Sequence, residues 1–235
     1  MIPKIIHYCW FGHGEKPKLA EKCIASWKKY CPDFEIIEWN EDNFDIDSYP
    51  YAKYCHDNKK WAFLSDFVRL VVVYKHGGIY FDTDVELVKS PEELLKYDAF
   101  FGFENETNVS TGLGFGAIPR NKAVFLMSQQ YYELQPNKNG DFPIIVCPAL
   151  NTKALLPLGL KLNGESQILD DMIVLGIDCL NPYDDPTGKL NKTENTISIH
   201  WYSKSWLDKK TIIRSILTKP FHRIFGNDCF AWLKK

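Results

Sequence analysis

Two aspartates one residue apart, Asp82 and Asp84, follow a glycine pair and an apolar run in GGIYFDTDVEL, residues 77–87. Aspartate is a poor strand former, so propensity does not account for either position. Carboxylates at this spacing suit a small hard cation, Mg²⁺ or Mn²⁺, that takes few protein ligands and completes its shell with substrate phosphates. If the strand runs on through Val85, its period of two puts Tyr80, Asp82 and Asp84 on one face and Ile79, Phe81 and Val85 on the core face. Alternate residues of a straight strand lie ~6.5–7 Å apart, against metal–oxygen distances of ~2.1 Å. On that geometry one carboxylate binds the ion and the other a hydroxyl or a metal-bound water. The plainer alternative is a pair of turn residues at a strand end.

A second charged pair lies upstream. Asp66 and Arg69 are three residues apart and share a helix face. The surrounding WAFLSDFVRLVVVY is apolar nearly all round, which points to a buried helix whose charges are paired or functional. A surface ion pair worth a few tenths of a kcal/mol is the alternative.

The elements that must position these groups alternate along the first half. KIIHYCW reads as a strand, Pro17 opens a helix that Pro32 stops, and FEIIEWN is a second strand. A long helix over NKKWAFLSDFVRLVVVYKHGG, with Trp61, Leu64, Val68 and Val72 at helical spacing, stops at Gly77 and Gly78. IYFDTDVEL follows as the third strand. This order predicts an α/β fold with a mostly parallel sheet flanked by helices, in which ligands bind beyond the carboxyl ends of the strands. Trp10 and Phe11 end the first strand there, as Asp82 and Asp84 end the third. TGLGFGA, residues 111–117, reads as a bulged strand or as a glycine loop built for close approach.

The chain has 235 residues, 45% hydrophobic and 25% charged, enough for one large domain or a domain with an appendage. A net charge of −2 excludes the basic footprint of a nucleic-acid binder. Charge is nevertheless uneven: from Lys204 to Lys235 eight Lys or Arg face two Asp, so this tail carries +6 and the rest −8. The tail also holds Ile212, Ile213, Ile216, Leu217, Phe221, Ile224, Phe225, Phe230 and Trp232. That mixture suits a segment lying on an anionic membrane, or a terminal helix packed on the domain. The expected organisation is a domain over 1–203 and a basic amphipathic segment over 204–235. Seven cysteines, odd in number and without a C-x-x-C pair, argue for reduced thiols rather than a disulfide framework or zinc site. No signal-peptide pattern opens the sequence, and the expected location is the cytoplasm, at the inner face of the plasma membrane.

IPKIIHYCWFG, AFLSDFVRLVVVYKHGGIYFDTDVE and HWYSKSW together resemble glycosyltransferase family 32. The string S-D-x-x-R-x-x-x-[LVI]-x-x-x-G-G-x-Y-x-D-x-D is far more specific than D-x-D alone. The resemblance implies a GT-A fold, with a single mixed, mostly parallel sheet. It implies a nucleotide-sugar donor, a Mn²⁺ or Mg²⁺ ion, and transfer with retention of configuration to a glycan or lipid-linked acceptor, as in capsular polysaccharide synthesis. Position by position, Trp10 matches an aromatic near the base, Asp66 and Arg69 the pair on the donor sugar, and Tyr80 the residue beside it. Asp82 matches the aspartate near ribose and sugar, Asp84 the direct metal ligand, and His200 the metal-binding histidine of the C-terminal part. Ser205 and Trp206 match a segment that closes over the diphosphate. FPIIVCPALNTKALL departs from the family's G-P-x-x-x-T segment, because Cys147 replaces the glycine.

Such a site would stabilise the leaving diphosphate with the ion and orient the sugar through Asp66 and Arg69. No residue is nominated as nucleophile, which favours same-face attack assisted by the leaving phosphate. Two rivals are a haloacid-dehalogenase-like phosphatase, with LDDMIV at 169–174 as its second acidic site, and an inactive sugar-nucleotide-binding module.

Overall fold

The computed structural model describes residues 1–204, 207–226 and 229. Strand β1 (Ile5–Cys9) leads through Pro17 into helix α1 (Lys18–Tyr30) and then β2 (Glu35–Trp39). Helix α2 (Pro50–Asp57), with proline in its first turn, was not read from the pattern; α3 (Trp61–His76) was. After α3 come β3 (Gly78–Tyr80), β4 (Val85–Leu87), β5 (Ala99–Asn105), β6 (Asn108–Val109) and β7 (Phe115–Ala117). The second half adds α4 (Lys122–Tyr132), α5 (Cys147–Leu155), β8 (Gln167–Leu169), β9 (Met172–Leu175) and α6 (Ile177–Leu180). A small ribbon of β10 (Tyr183–Asp184) and β11 (Lys189–Leu190) precedes β12 (Ser198–His200) and α7 (Lys209–Phe225).

The expected single mixed sheet is present, in the order β2-β1-β3-β7-β5-β9-β8 with β6 on β5. β1 runs parallel to β2 and β3, and β5 parallel to β9, while β7 and β8 are antiparallel to their neighbours. The carboxyl ends of β1, β3, β5 and β9 therefore share one edge. Two apolar clusters cover the two faces. One gathers α2, α3, α4 and α5 side chains with Tyr80, Phe101 and Phe103; the other gathers α1 with Ile6, Ile79, Phe81 and Phe100. Tyr80 thus faces away from Ile79 and Phe81, as the period of two requires.

Two glycines join α3 to β3. Gly77 and Gly78 both have positive φ, +67° and +98°, and a Cβ on Gly78 would meet the Ile5 carbonyl oxygen at 2.7 Å. Only glycine lets the chain leave the helix left-handed and run directly against β1.

The strand expected to run through residue 87 is broken. β3 ends at Tyr80, the Asp82 carbonyl accepts the Val85 N–H at 3.0 Å, and β4 leaves the main sheet. β4 instead pairs antiparallel with β12, bringing His200 opposite Val85. Asp82 and Asp84 thus lie in a turn, where short carboxylates are favoured. Trp27 of α1 seats this ribbon: it is fully buried, packs on Phe81 and Tyr8, and donates its indole N–H to the Val85 carbonyl at 2.8 Å. Trp27→Ala should cost ~3–5 kcal/mol in urea unfolding, and Trp27→Phe roughly 1–2 kcal/mol for the lost hydrogen bond. A loss below about 1 kcal/mol for Trp27→Ala would mean that α1 does not hold the ribbon in place.

Candidate functional site

The centre of the site is a buried guanidinium. Arg69, only 2% exposed, places Nη2 2.9 Å from both Asp66 Oδ1 and Asp82 Oδ1. The Ser65 carbonyl and hydroxyl accept from the same side chain at 3.1 and 3.2 Å, and the Tyr80 ring centroid lies 4.8 Å from the guanidinium carbon. The pair is therefore internal rather than a surface i,i+3 bridge. Arg69 Nη1 is buried with no hydrogen-bond partner among the described residues. A buried donor without a partner is costly, and an oxygen-rich ligand would relieve that cost.

Asp82 joins this cluster to a second one. Its Oδ1 accepts from both Arg69 and the Tyr80 hydroxyl, at 2.9 and 3.0 Å. Its Oδ2 faces Gly112, where a Cβ would sit 2.8 Å from that oxygen and 3.3 Å from Arg69 Nη1. One oxygen is thus fixed by the protein, and the other faces a space that the missing side chain of Gly112 keeps clear. Asp84 is held from the C-terminal segment. Its Oδ2 accepts the Ser203 N–H at 2.7 Å, its carbonyl accepts the Trp201 N–H at 3.0 Å, and Oδ1 lies 3.2 Å from His200 Nε2.

Ligand atoms of Asp82, Asp84 and His200 all lie within 4.8 Å of one another. The straight strand assumed for 79–87 is corrected here: the turn at 82–85 brings the two carboxylates closer than an extended chain would hold them, so both are within reach of one ion. The 3.2 Å between Asp84 Oδ1 and His200 Nε2 is close to the ~3 Å edge of an octahedron with ~2.1 Å bonds. Two carboxylates and an imidazole are a donor set suited to Mn²⁺ and acceptable to Mg²⁺. His200 is satisfied on one side only: Nε2 faces Asp84, while Nδ1 is buried with no hydrogen-bond partner among the described residues.

Burial opposes charge throughout the site, and the partners decide each outcome. Burial pushes the Asp66 carboxyl up to about 6, against the opposing pull of Arg69. Asp82 is likewise raised, by burial against Arg69 and with the repulsion of Asp84. At Asp84 burial is overcome by the charge and hydrogen bond of His200 and by the Ser203 amide, so its carboxyl stays well below the usual range. Burial would lower His200, but Asp84 and Asp82 raise it. Two neighbouring carboxylates are thus pushed in opposite directions, a pattern typical of functional sites.

Several residues here were not singled out by sequence reasoning. Ser65 acts through its carbonyl as well as its hydroxyl, Gly112 through a missing side chain and Ser203 through an amide hydrogen, and backbone groups leave little mark in residue type. Glu104, at the carboxyl end of β5, is a half-buried carboxylate raised by desolvation; the Tyr202 hydroxyl donates to it at 3.3 Å. TGLGFGA combines both readings, a close-approach glycine at 112 and a strand from Phe115. Cys147 opens α5, with its Sγ 3.9 Å from the Ser110 hydroxyl and its thiol close enough to Asp66 to favour that carboxylate's charge. Further along that helix, Asn151 Oδ1 accepts the Thr111 N–H and hydroxyl, both at 3.0 Å.

Trp10 lies just past β1, half-buried, with its indole N–H donating to Gly14 at 2.7 Å and Lys16 over its ring; none of these contacts reaches the carboxylates. Ser205 and Trp206 lie outside the described residues. Asp170 and Asp171, the second acidic site required of a phosphatase, immediately precede β9 at the start of the Ala99–Met172 pairing. They are therefore at the opposite edge of the sheet from Asp82.

Residues 17–101 match the sequence profile of a family described as a glycosyltransferase sugar-binding region containing a DXD motif. Inositol phosphoceramide mannosyltransferase 3 of Schizosaccharomyces pombe is 30% identical over 122 residues, covering 48% of this chain and 33% of that protein. Inositol phosphoceramide mannosyltransferase 2 of the same yeast is 29% identical, covering 55% of this chain and 38% of its own length. The chain thus spans little more than a third of the length of these relatives. Among solved structures, PaToxG glycosyltransferase aligns with a TM-score of 0.48 at 21% identity, over 66% of this chain and 69% of that one.

Gly112→Ala places a methyl group against Asp82 Oδ2 and Arg69 Nη1. It should weaken Mn²⁺ binding, followed by electron paramagnetic resonance, by at least about tenfold, the equivalent of ~1.4 kcal/mol. Its melting temperature should fall by only a few degrees; unchanged Mn²⁺ affinity would remove Asp82 Oδ2 from the ligand set. Binding also requires an unprotonated His200, whose proton affinity Asp84 raises. Mn²⁺ affinity should therefore fall as pH drops from 8 to 5.5, by up to about tenfold per unit once His200 is protonated. A flat profile would exclude the imidazole.

Proposed function

We propose, from the match of residues 17–101 to the DXD-containing sugar-binding region of glycosyltransferases, that the chain moves a hexose or N-acetylhexosamine from a nucleotide-sugar to a glycan or lipid-linked acceptor. The observation that carries this reading is the fusion of two clusters through one side chain. Asp82 belongs both to the Asp82–Asp84–His200 group and to the Arg69–Asp66 pair. An ion site joined to a buried donor–acceptor pair is what a sugar diphosphate needs, with charge at one end and hydroxyls at the other.

A divalent ion on Asp82, Asp84 and His200, Mn²⁺ in our reading, would supply Lewis-acid stabilisation of the departing diphosphate. The chain's own groups do the positioning. Arg69 Nη1 offers a hydrogen to a sugar or phosphate oxygen, and Asp66 accepts from a sugar hydroxyl while Arg69 keeps it ionised. Tyr80 fixes the rotamer of Asp82 from below, and Gly112 leaves the approach to Oδ2 clear. The Trp201 and Ser203 amides hold Asp84 toward His200. Trp10 would stack on the base and Ser205–Trp206 would close over the diphosphate. Retention by same-face attack needs no carboxylate nucleophile.

A uridine donor is the primary reading, with a surface or capsular polysaccharide as the product. The yeast relatives are named as mannosyltransferases on inositol phosphoceramide, which favours mannose from a guanosine donor, and a lipid acceptor, as the second reading. The opposite-edge position of Asp170 and Asp171 argues against the phosphatase. Calorimetric titration of UDP and of GDP with Mn²⁺ present separates these readings. One nucleotide should bind, with at least about a hundredfold loss in EDTA or in Asp84→Ala, the ~2.7 kcal/mol expected for a main ion contact. Binding of neither would end the transferase reading, and tight binding with no turnover of any sugar donor would leave an inactive binding module.

A further inference from the structure

We propose that α7 is an interfacial helix that seats the protein on an anionic lipid surface. The proposal goes beyond sugar transfer and holds whichever donor is used. Its basis is an inverted amphipathic pattern. α7 is capped at its start by Asp208, whose side chain accepts the Thr211 N–H at 3.0 Å, and at its end by Gly226. At about 100° per residue, Ile213, Ile216, Leu217 and Ile224 fall on one face, with Phe225 at its border. In a helix packed on a domain this face would be turned inward. Here these five side chains are between 56% and 73% exposed.

The face turned inward is polar except for Ile212: Ile212, Ser215, Thr218, Lys219 and His222 are its partly buried positions. Lys219 Nζ donates to the Tyr183 hydroxyl at 2.7 Å and pairs with Asp185 at 3.1 Å. Lys204 Nζ donates to Ser215 Oγ at 2.6 Å and pairs with the same Asp185. The β10–β11 ribbon therefore holds the helix by hydrogen bonds and ion pairs, leaving the apolar stripe outward. Contiguous exposed apolar surface of this kind marks an interaction site.

Charge identifies the occupant. Residues 209–226 contain no Asp or Glu. Lys210 and Arg214 lie at one edge of the apolar stripe, between Leu217 and Phe225, and Arg223 lies at the other edge beside Ile216, all exposed. Long basic side chains on both borders of an apolar face can reach phosphate headgroups while the stripe enters the acyl boundary. A protein partner would need an acidic rim on both sides, whereas an anionic bilayer provides one uniformly. No described helix is long and apolar enough to cross a membrane, so this contact is peripheral. The docked face also connects to the ion site, since Lys204 is next in sequence to Ser203, whose N–H holds Asp84.

The test is co-sedimentation of the full chain with vesicles of phosphatidylcholine alone or with one-third phosphatidylglycerol, at about 100 mM salt, near the physiological screening range. The protein should pellet with the anionic vesicles and stay in solution with the neutral ones. Lys210→Glu/Arg214→Glu/Arg223→Glu should lower the partition coefficient by roughly a hundredfold, and Ile216→Ser/Leu217→Ser/Ile224→Ser should do the same. Both variants should keep their circular dichroism and melting temperature, because the altered side chains are exposed. Three outcomes would overturn the proposal: a protein that stays in the supernatant with anionic vesicles, binding that neither variant weakens, or a dimer that the apolar variant dissociates. The last would assign the stripe to a second copy of the chain.

Discussion

Everything at the site depends on keeping one buried positive charge neutralised. A guanidinium that is 2% exposed carries a large desolvation cost, and removing one partner of such a pair is more damaging than never having built it. Arg69 meets that requirement with two carboxylates from different elements, Asp66 one turn earlier on its own helix and Asp82 beyond β3. This fixes the angle at which α3 delivers the chain to the sheet. It also explains the compressed spacing of the motif, because α3, the two glycines and β3 leave no room for a longer connection. Tyr80, lying against the guanidinium and bonded to Asp82, closes the triangle from the sheet side.

Asp82 is shared, and that sharing couples the two halves of the site. Its Oδ1 is committed to the buried charge, so only Oδ2 remains for an external ligand. A change at Arg69 would therefore reach the ion site through the orientation of a single carboxylate. Asp84 has no such tie to α3. Its ties run instead to residues more than a hundred positions later, His200, Trp201 and Ser203, through the small ribbon of β4 and β12. The site is thus a joint between an N-terminal half that supplies the charged framework and a C-terminal strand that completes it.

Much of this was legible in the sequence where one residue type does one job. The 3.6 period and apolar surround of Asp66 and Arg69 announced a buried pair, and the period of two placed Tyr80 opposite Ile79 and Phe81. The glycine pair marked the end of α3 at the correct place. Legibility failed where a backbone group does the work. Nothing in FDTD announces that the strand breaks after Tyr80, since the break depends on a Val85 N–H turning back to Asp82 and on Trp27 holding Val85 from α1. The Ser203 amide was invisible for the same reason, since it contributes a hydrogen that every residue but proline carries; the close approach at Gly112 was one of two readings of TGLGFGA, with nothing to show what it approaches. Cys147 stood out as a departure, and it lies against Asp66 at the head of α5.

The Asp84–His200 pair gives the site a defined state before any ligand arrives. In that state the imidazole and carboxylate neutralise each other, and the segment carrying them is held by the Trp201 and Ser203 amides. Asp84 and His200 would hold a divalent ion only with the ring unprotonated, and that exchange would not require the β4–β12 pairing to be rebuilt. The geometry of β12 is therefore already formed when the ion binds, and little ordering cost falls on that strand. By reciprocity, any outside contact that steadies Ser203 also favours the ion, because both act through the same Asp84 carboxylate. A helix that docks its polar face through Lys204 is in the right place to exert that influence.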